Sequence, residues 1–197
     1  MNQSSGMTRP RLHHVTLKTC RPDEMIAWYG TVIGASVQHQ YAGGAWLTND
    51  AANHRIAMLT SPKICDDPAK LGHSGMHHTA FEFDTYDDLL GTYVRLTEAG
   101  IEPHACLDHG MTTSMYYVDP DGNSVELQTD NFHDWAKSSA YMRESPVFKH
   151  DPIGTPFDPR KVVEQWRAGV PETELRRRTF AGEYTPATPL DLRFPAG

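Results

Sequence analysis

A segment repeats within the first two thirds of this chain, and the repeat limits the fold more than any other feature. Residues 14–29 set against residues 78–93, at a constant offset of 64, place His14 on His78, Leu17 on Phe81 and Asp23 on Asp87. Met25 then falls on Leu89, Ile26 on Leu90 and Tyr29 on Tyr93. Each copy reads as a short strand (His14–Thr19, His78–Phe83), a polar turn and an amphipathic helix. The spacing predicts helices over Asp23–Val32, ending at Gly34, and over Tyr86–Ala99, ending at Gly100. Glycine past a helix end accepts the left-handed backbone that stops it. The copies continue at an offset of 70, with Trp46–Asn49 against Tyr116–Asp119 and Asn53 against Asn123. Asp119-Pro120-Asp121-Gly122-Asn123 has the chemistry of a tight turn. The strands that follow are Arg55–Leu59 and Ser124–Thr129. The unit is therefore a β-α-β-β-β module present twice, at about 11–60 and 76–130, with residues 60–77 as linker.

A lone module leaves one face of its sheet uncovered, so the two are expected to pair into one α+β domain over residues 1–130. Composition shifts after residue 130. Asn131–Met142 reads as a helix, and Asp158-Pro159 before Val162–Ala168 reads as an N-cap and first-turn proline, closing at Gly169. Pro171–Arg178 reads as one more turn, and Gly182–Gly197 as a Pro-rich extended tail. Residues 131–197 are expected to pack on the module domain or on a neighbouring subunit of a homo-oligomer, anchored by Trp135, Tyr141, Phe148, Phe157 and Trp166.

Charge and cysteine content narrow the function. Among 197 residues, 25 are acidic and 18 are Lys or Arg, for a net charge of -7. Nucleic-acid binding draws most of its affinity from neutralised phosphates, so no nucleic-acid partner is expected. No run of about 18 apolar residues is present, so no membrane span is expected. Met1–Pro10 is polar and does not resemble a secretory signal. Cys20, Cys65 and Cys106 are odd in number and far apart, which suits reduced thiols in a cytoplasmic protein.

The histidines carry the chemistry. His14 and His78 open the first strand of each module, and Glu126 lies on the last strand of the second. Alternation gives His14 the face of Thr16 and Lys18, and His78 that of Ala80 and Glu82, while His13 and His77 take the opposite faces. Two imidazoles and one carboxylate on one side of a metal form a facial triad with open positions, suited to Fe(II).

The segments LHHVTL, NHRIAM, MHHTAFEF and SMYYVDPDGNSVEL resemble the vicinal oxygen chelate (glyoxalase, bleomycin resistance, dioxygenase) superfamily, and more closely its one-domain type I extradiol dioxygenases. The resemblance spans about residues 11–130 and implies a curved sheet domain enclosing a metal. It also implies Fe(II), with Mn(II) as the alternative, held by His14, His78 and Glu126. Relatives with four protein ligands take the fourth from the last strand of the first module. The residue matched to Glu126 there is Ile56, which binds no metal. Around the metal, the resemblance makes His54 an acid–base residue, which alternation places on the face of Ile56, toward the cavity, and sets Tyr116 and His109 against the substrate, His109 on a shortened loop. The implied reaction opens the ring of a catechol-type aromatic diol with both atoms of O2. A non-redox metal enzyme of the same fold, such as a thiol transferase, and a metal-independent small-molecule binder are the competing readings. Trp46, Met58, Met115 and the tail are candidate sources of pocket side chains.

Overall fold

The computed structural model describes residues 8–195. The polar stretch before Thr8, part of the reading of the N-terminus, lies outside the described residues. The chain forms two compact units, the first reaching Asp66 and the second beginning at Asp67.

The first unit is one β-α-β-β-β module. It runs β1 (Val15–Thr19), α1 (Pro22–Ile33), β2 (Ser36–Tyr41), β3 (Gly44–Thr48) and β4 (Ile56–Thr60), with sheet order β1-β4-β3-β2. The second unit repeats it as β5 (His78–Phe83), α2 (Tyr86–Glu98), β6 (Ala105–Asp108), β7 (Thr112–Val118) and β8 (Ser124–Asp130), in the matching order β5-β8-β7-β6. In each, the first strand pairs in parallel with the last. That pairing requires a crossover, which the module's helix supplies. Both helices begin and end within a residue or so of the expected places. Gly34 caps α1 at φ 68, and Gly100 follows α2 at φ 76. The Thr85 hydroxyl caps α2 by accepting from the Asp88 N–H at 3.1 Å.

Alternation then sorts the two faces of each sheet. Leu17, Leu47, Ile56 and Met58 are buried with Met25, Tyr29 and Val32 of α1. Val125, Leu127, Met115 and Tyr117 are buried with Leu89, Leu90, Tyr93 and Leu96 of α2. Met58 and Met115 are thus core residues on the helix-covered faces, not pocket residues as expected. Trp46 lies on the opposite face, beside His39 and Tyr41.

Register corrects one sequence match. Leu47 pairs with Ile56 across the first β3–β4 turn, and Tyr117 with Val125 across the second. The first turn is one residue longer, so the offset of 70 that holds for β3 fails for β4. The residue standing where Glu126 stands is Ala57, opposite Thr16 as Glu126 is opposite Ala80. Alanine cannot bind a metal either, so the first module still offers no ligand from its last strand.

Residues after 130 build into the second unit. They form α3 (Trp135–Glu144), α4 (Pro146–His150), β9 (Thr155–Pro156), α5 (Pro159–Arg167) and α6 (Glu172–Phe180). Strand β9 adds to the sheet beside β6, and the Phe157 N–H extends the ladder to the Cys106 carbonyl at 3.1 Å. Asp158 caps α5 through the Arg160 N–H at 3.0 Å. Phe157, Val162, Leu175 and Tyr184 are buried. Trp135 is instead 72% exposed, its indole N–H donating to Glu82 at 2.9 Å. Aromatic area alone overestimated its burial, because the smaller Val162, Val163 and Leu175 sit on the inward faces of their helices.

The packing of Phe157 makes the extension structural. Phe157→Ala is expected to cost about 3–5 kcal/mol, read by urea unfolding. A chain ended at Thr129 is expected to lose cooperative unfolding of its second unit. Unchanged melting in both variants would mean the extension is passive.

Candidate metal and substrate site

Each unit carries its own group of candidate residues. In the second, parallel pairing of β5 with β8 sets Ala80 against Glu126 and His78 against Ser124. Antiparallel pairing of β7 with β8 sets Tyr116 beside Glu126. His78, Tyr116 and Glu126 therefore share the face away from α2. Glu126 is only 5% exposed. The His78 Nε2 stands 3.0 Å from Glu126 Oε2. The Tyr116 hydroxyl donates to Glu126 Oε1 at 2.9 Å. Having spent its proton there, it accepts from His109 Nε2 at 2.9 Å.

His109 reaches this set because its loop is short, as expected. The His109 N–H donates to the Thr112 carbonyl at 2.9 Å, closing a two-residue turn between β6 and β7. Gly110 takes φ 86 in that turn. The Gly110 N–H donates to Asp108 Oδ1 at 2.7 Å, and the Asn131 amide donates to the same oxygen at 3.3 Å.

The electrostatics suit cation binding. Burial pushes the Glu126 carboxyl up, but the His78 imidazole and the Tyr116 hydroxyl hold it below the usual glutamate range. Burial, then the Glu126 charge, push the Tyr116 hydroxyl far above its ordinary value, so it remains a protonated donor. Burial lowers His109, keeping its imidazole neutral near pH 7. The Leu192 carbonyl accepts from His77 Nε2 at 3.0 Å, and His77 Nδ1 stands 2.8 Å from His78 Nδ1. An Nε2···Oε2 gap of 3.0 Å is about the edge between neighbouring donors on bonds of ~2.1 Å. The donor set fits a divalent metal that accepts nitrogen and oxygen together.

In the first unit, His13, His14 and His54 gather, each offering a ring nitrogen within 4.8 Å of the others. The His14 and His54 ring centroids are 4.4 Å apart. Burial, then His14 and His13, lower the pKa of His54. Strand alternation was expected to turn His13 away from His14 and His54 toward the side of Ile56. Neither argument applies, because β1 starts at Val15 and β4 at Ile56. Both histidines lie in irregular backbone just outside a strand, and Ile56 faces the helix.

A cavity of about 390 Å³ opens over His78, His109 and Tyr116 in the second unit. It also takes in His104, which the sequence did not single out, and Ile153, Leu192 and Phe194 of the tail, which was expected to contribute pocket side chains. His104 precedes β6, and the other three lie in the extension, where no repeat marks them.

A family model described as the Glyoxalase/Bleomycin resistance protein/Dioxygenase superfamily matches residues 11–127. Biphenyl-2,3-diol 1,2-dioxygenase 2 of Rhodococcus globerulus is 43% identical over 180 residues, covering 91% of this chain and 94% of that protein. Biphenyl-2,3-diol 1,2-dioxygenase 3 of the same organism is 42% identical over 172 residues, covering 87% and 90%. Among solved structures, a glyoxylase/bleomycin resistance protein/dioxygenase domain from Frankia sp. EAN1pec superposes with a TM-score of 0.53. It is 16% identical and covers 63% of this chain and 94% of that one.

Burial raises Asp108, beneath His109, to about 6, against the pull of Gly110, Arg176 and Asn131. A carboxyl raised on folding stabilises below its unfolded value and loses that contribution as pH rises through the folded one. Asp108 should therefore cost stability between about pH 4 and 6, by about 3 kcal/mol at completion. Asp108→Asn is expected to flatten this part of the pH dependence in urea unfolding at pH 5 and 7.5. Equal pH dependence in both proteins would refute the assignment.

Proposed function

We propose that this chain, which belongs to the Glyoxalase/Bleomycin resistance protein/Dioxygenase superfamily, opens the ring of a catechol-type aromatic diol with O2, as an extradiol dioxygenase. The observation that carries this reading is its likeness to two biphenyl-2,3-diol dioxygenases along nearly their whole lengths, extension included. A dioxygenase of this superfamily calls for a catalytic metal. Iron(II) is the metal we assign, with His14, His78 and Glu126 as its ligands. When bound, it supplies open positions for the diol and O2 and the electron transfer that lets them react.

The protein's own groups do the rest. Glu126 is kept ionised by His78 and Tyr116, so it meets the metal as a carboxylate. Tyr116 and His109 fix that carboxylate and line the cavity where the diol would lie. His54, with its lowered pKa, is neutral near pH 7 and can take a proton from a diol hydroxyl. The imidazolium so formed can return that proton later in the reaction. Both atoms of O2 end in an open-chain 2-hydroxymuconic-type product. The protein is assigned to the cytoplasm and to a homo-oligomer.

Anaerobic loading with Fe(II), followed by air and a catechol panel, is expected to give a yellow product. Mn(II) loading in parallel identifies the active metal. Ala at His14, His78 or Glu126 is expected to remove iron and activity and leave the fold. Full iron occupancy in all three would refute the ligand set. His54→Gln is expected to keep iron and lower turnover by about 10²–10⁴. Loss of iron in that variant would instead make His54 a ligand, as its place beside His13 and His14 permits. Unchanged turnover would remove it from the chemistry.

A further inference from the structure

Residues 190–194 cross the second unit as a strap held along its length. Leu190 packs on Ala105, Leu107 and Tyr116. The Asp191 carbonyl accepts from His104 Nδ1 at 2.7 Å, which leaves His104 Nε2 to accept from the Ser124 hydroxyl at 3.0 Å. The Leu192 carbonyl accepts from His77 Nε2 at 3.0 Å. The Arg193 guanidinium donates to the Gly122 carbonyl at 3.0 Å, and the Arg193 N–H donates to the Asp191 carboxylate at 2.8 Å. At Asp191 and Leu192 the strap is held through main-chain carbonyls. Its path there does not depend on the side chain of Leu192, which is left to the cavity.

That cavity has two kinds of lining. His78, His109 and Tyr116 offer polar atoms, and Ile153, Leu192 and Phe194 supply apolar wall. Its volume is about 390 Å³. An apolar cavity of about 150 Å³ takes up one benzene ring. A single-ring diol would therefore leave much of the space beside the apolar wall to water. A diol carrying a second ring would fill it. Phe194 is 74% exposed, with its ring 6.4 Å from that of His77. Covering such an aromatic removes apolar area from water, which favours a ligand that reaches it.

We propose that the strap is the specificity wall of this site, and that Leu192 and Phe194, with Ile153, select diols bearing a bulky apolar substituent over unsubstituted catechol. The proposal rests on the ring-cleavage reading for the orientation of its ligand, diol toward His78 and substituent toward the strap. It adds determinants from a segment outside the repeated modules.

The test uses the full-length, iron(II)-loaded protein with 2,3-dihydroxybiphenyl and catechol. Calorimetry without O2 gives the ratio of dissociation constants, and turnover in air gives the ratio of kcat/KM. Leu192→Ala and Phe194→Ala are each expected to lower the preference for dihydroxybiphenyl by about 10-fold, the lower end of what a trimmed apolar contact is worth. Leu192→Trp, which fills the space meant for the second ring, is expected to lower the same ratio. Ratios that stay at the wild-type value in all three variants would overturn the proposal, as would wild-type protein that prefers catechol. If the binding ratios move as expected and neither diol is cleaved, the strap stands and the ring-cleavage reading falls. If both diols are cleaved at ratios the variants do not move, the reverse holds. Binding of neither diol would overturn both.

Discussion

A buried carboxylate on β8 sets the conditions for the rest of this structure. Glu126 is almost fully removed from water, and a buried charge is tolerated only when it is paired and hydrogen-bonded. One oxygen is met by the Tyr116 hydroxyl and the other by the His78 imidazole. Each partner comes from a strand bonded directly to β8, so the sheet itself delivers the compensation. The parallel β5–β8 pairing brings His78, the antiparallel β7–β8 pairing brings Tyr116, and the tight β6–β7 turn brings His109. The proposed ligand role uses the same arrangement, because a cation between His78 and Glu126 would replace their mutual contact with two stronger ones.

The repeat made much of this legible in advance. Helix positions, the sequence of elements within a module and the facing of His78 on β5 follow from apolar spacing and from the glycine stops. The errors have local physical causes. An offset carried past a turn that is one residue longer put Ile56 where Ala57 belongs. Alternation was applied to His13 and His54, which lie just outside their strands, where the two-residue period has no hold. Met58 and Met115 were read as pocket residues although both face the helices. The tail was expected at the pocket, but the path of the strap could not be read, because its bonds to His77 and His104 run through main-chain carbonyls, which leave no mark in the sequence.

The extension is part of the second unit's architecture. β9 lengthens its sheet, α5 and α6 bury Val162 and Leu175, and residues 190–194 reach the cavity. Likeness to the two biphenyl-2,3-diol dioxygenases covers about nine tenths of each chain, whereas the family model stops at residue 127. The modules thus carry what a broad superfamily shares, and the extension is the place for features peculiar to fewer members.

The central claim is that the site adds dioxygen to an aromatic diol. A single turnover of the iron(II)-loaded protein with 2,3-dihydroxybiphenyl under heavy-isotope O2 tests this most directly, with the product weighed at once by mass spectrometry. One O2 consumed per diol, and a product heavier by both labelled oxygen atoms, is the expected result. Product that carries no label, or diol recovered intact with no O2 consumed, would contradict it.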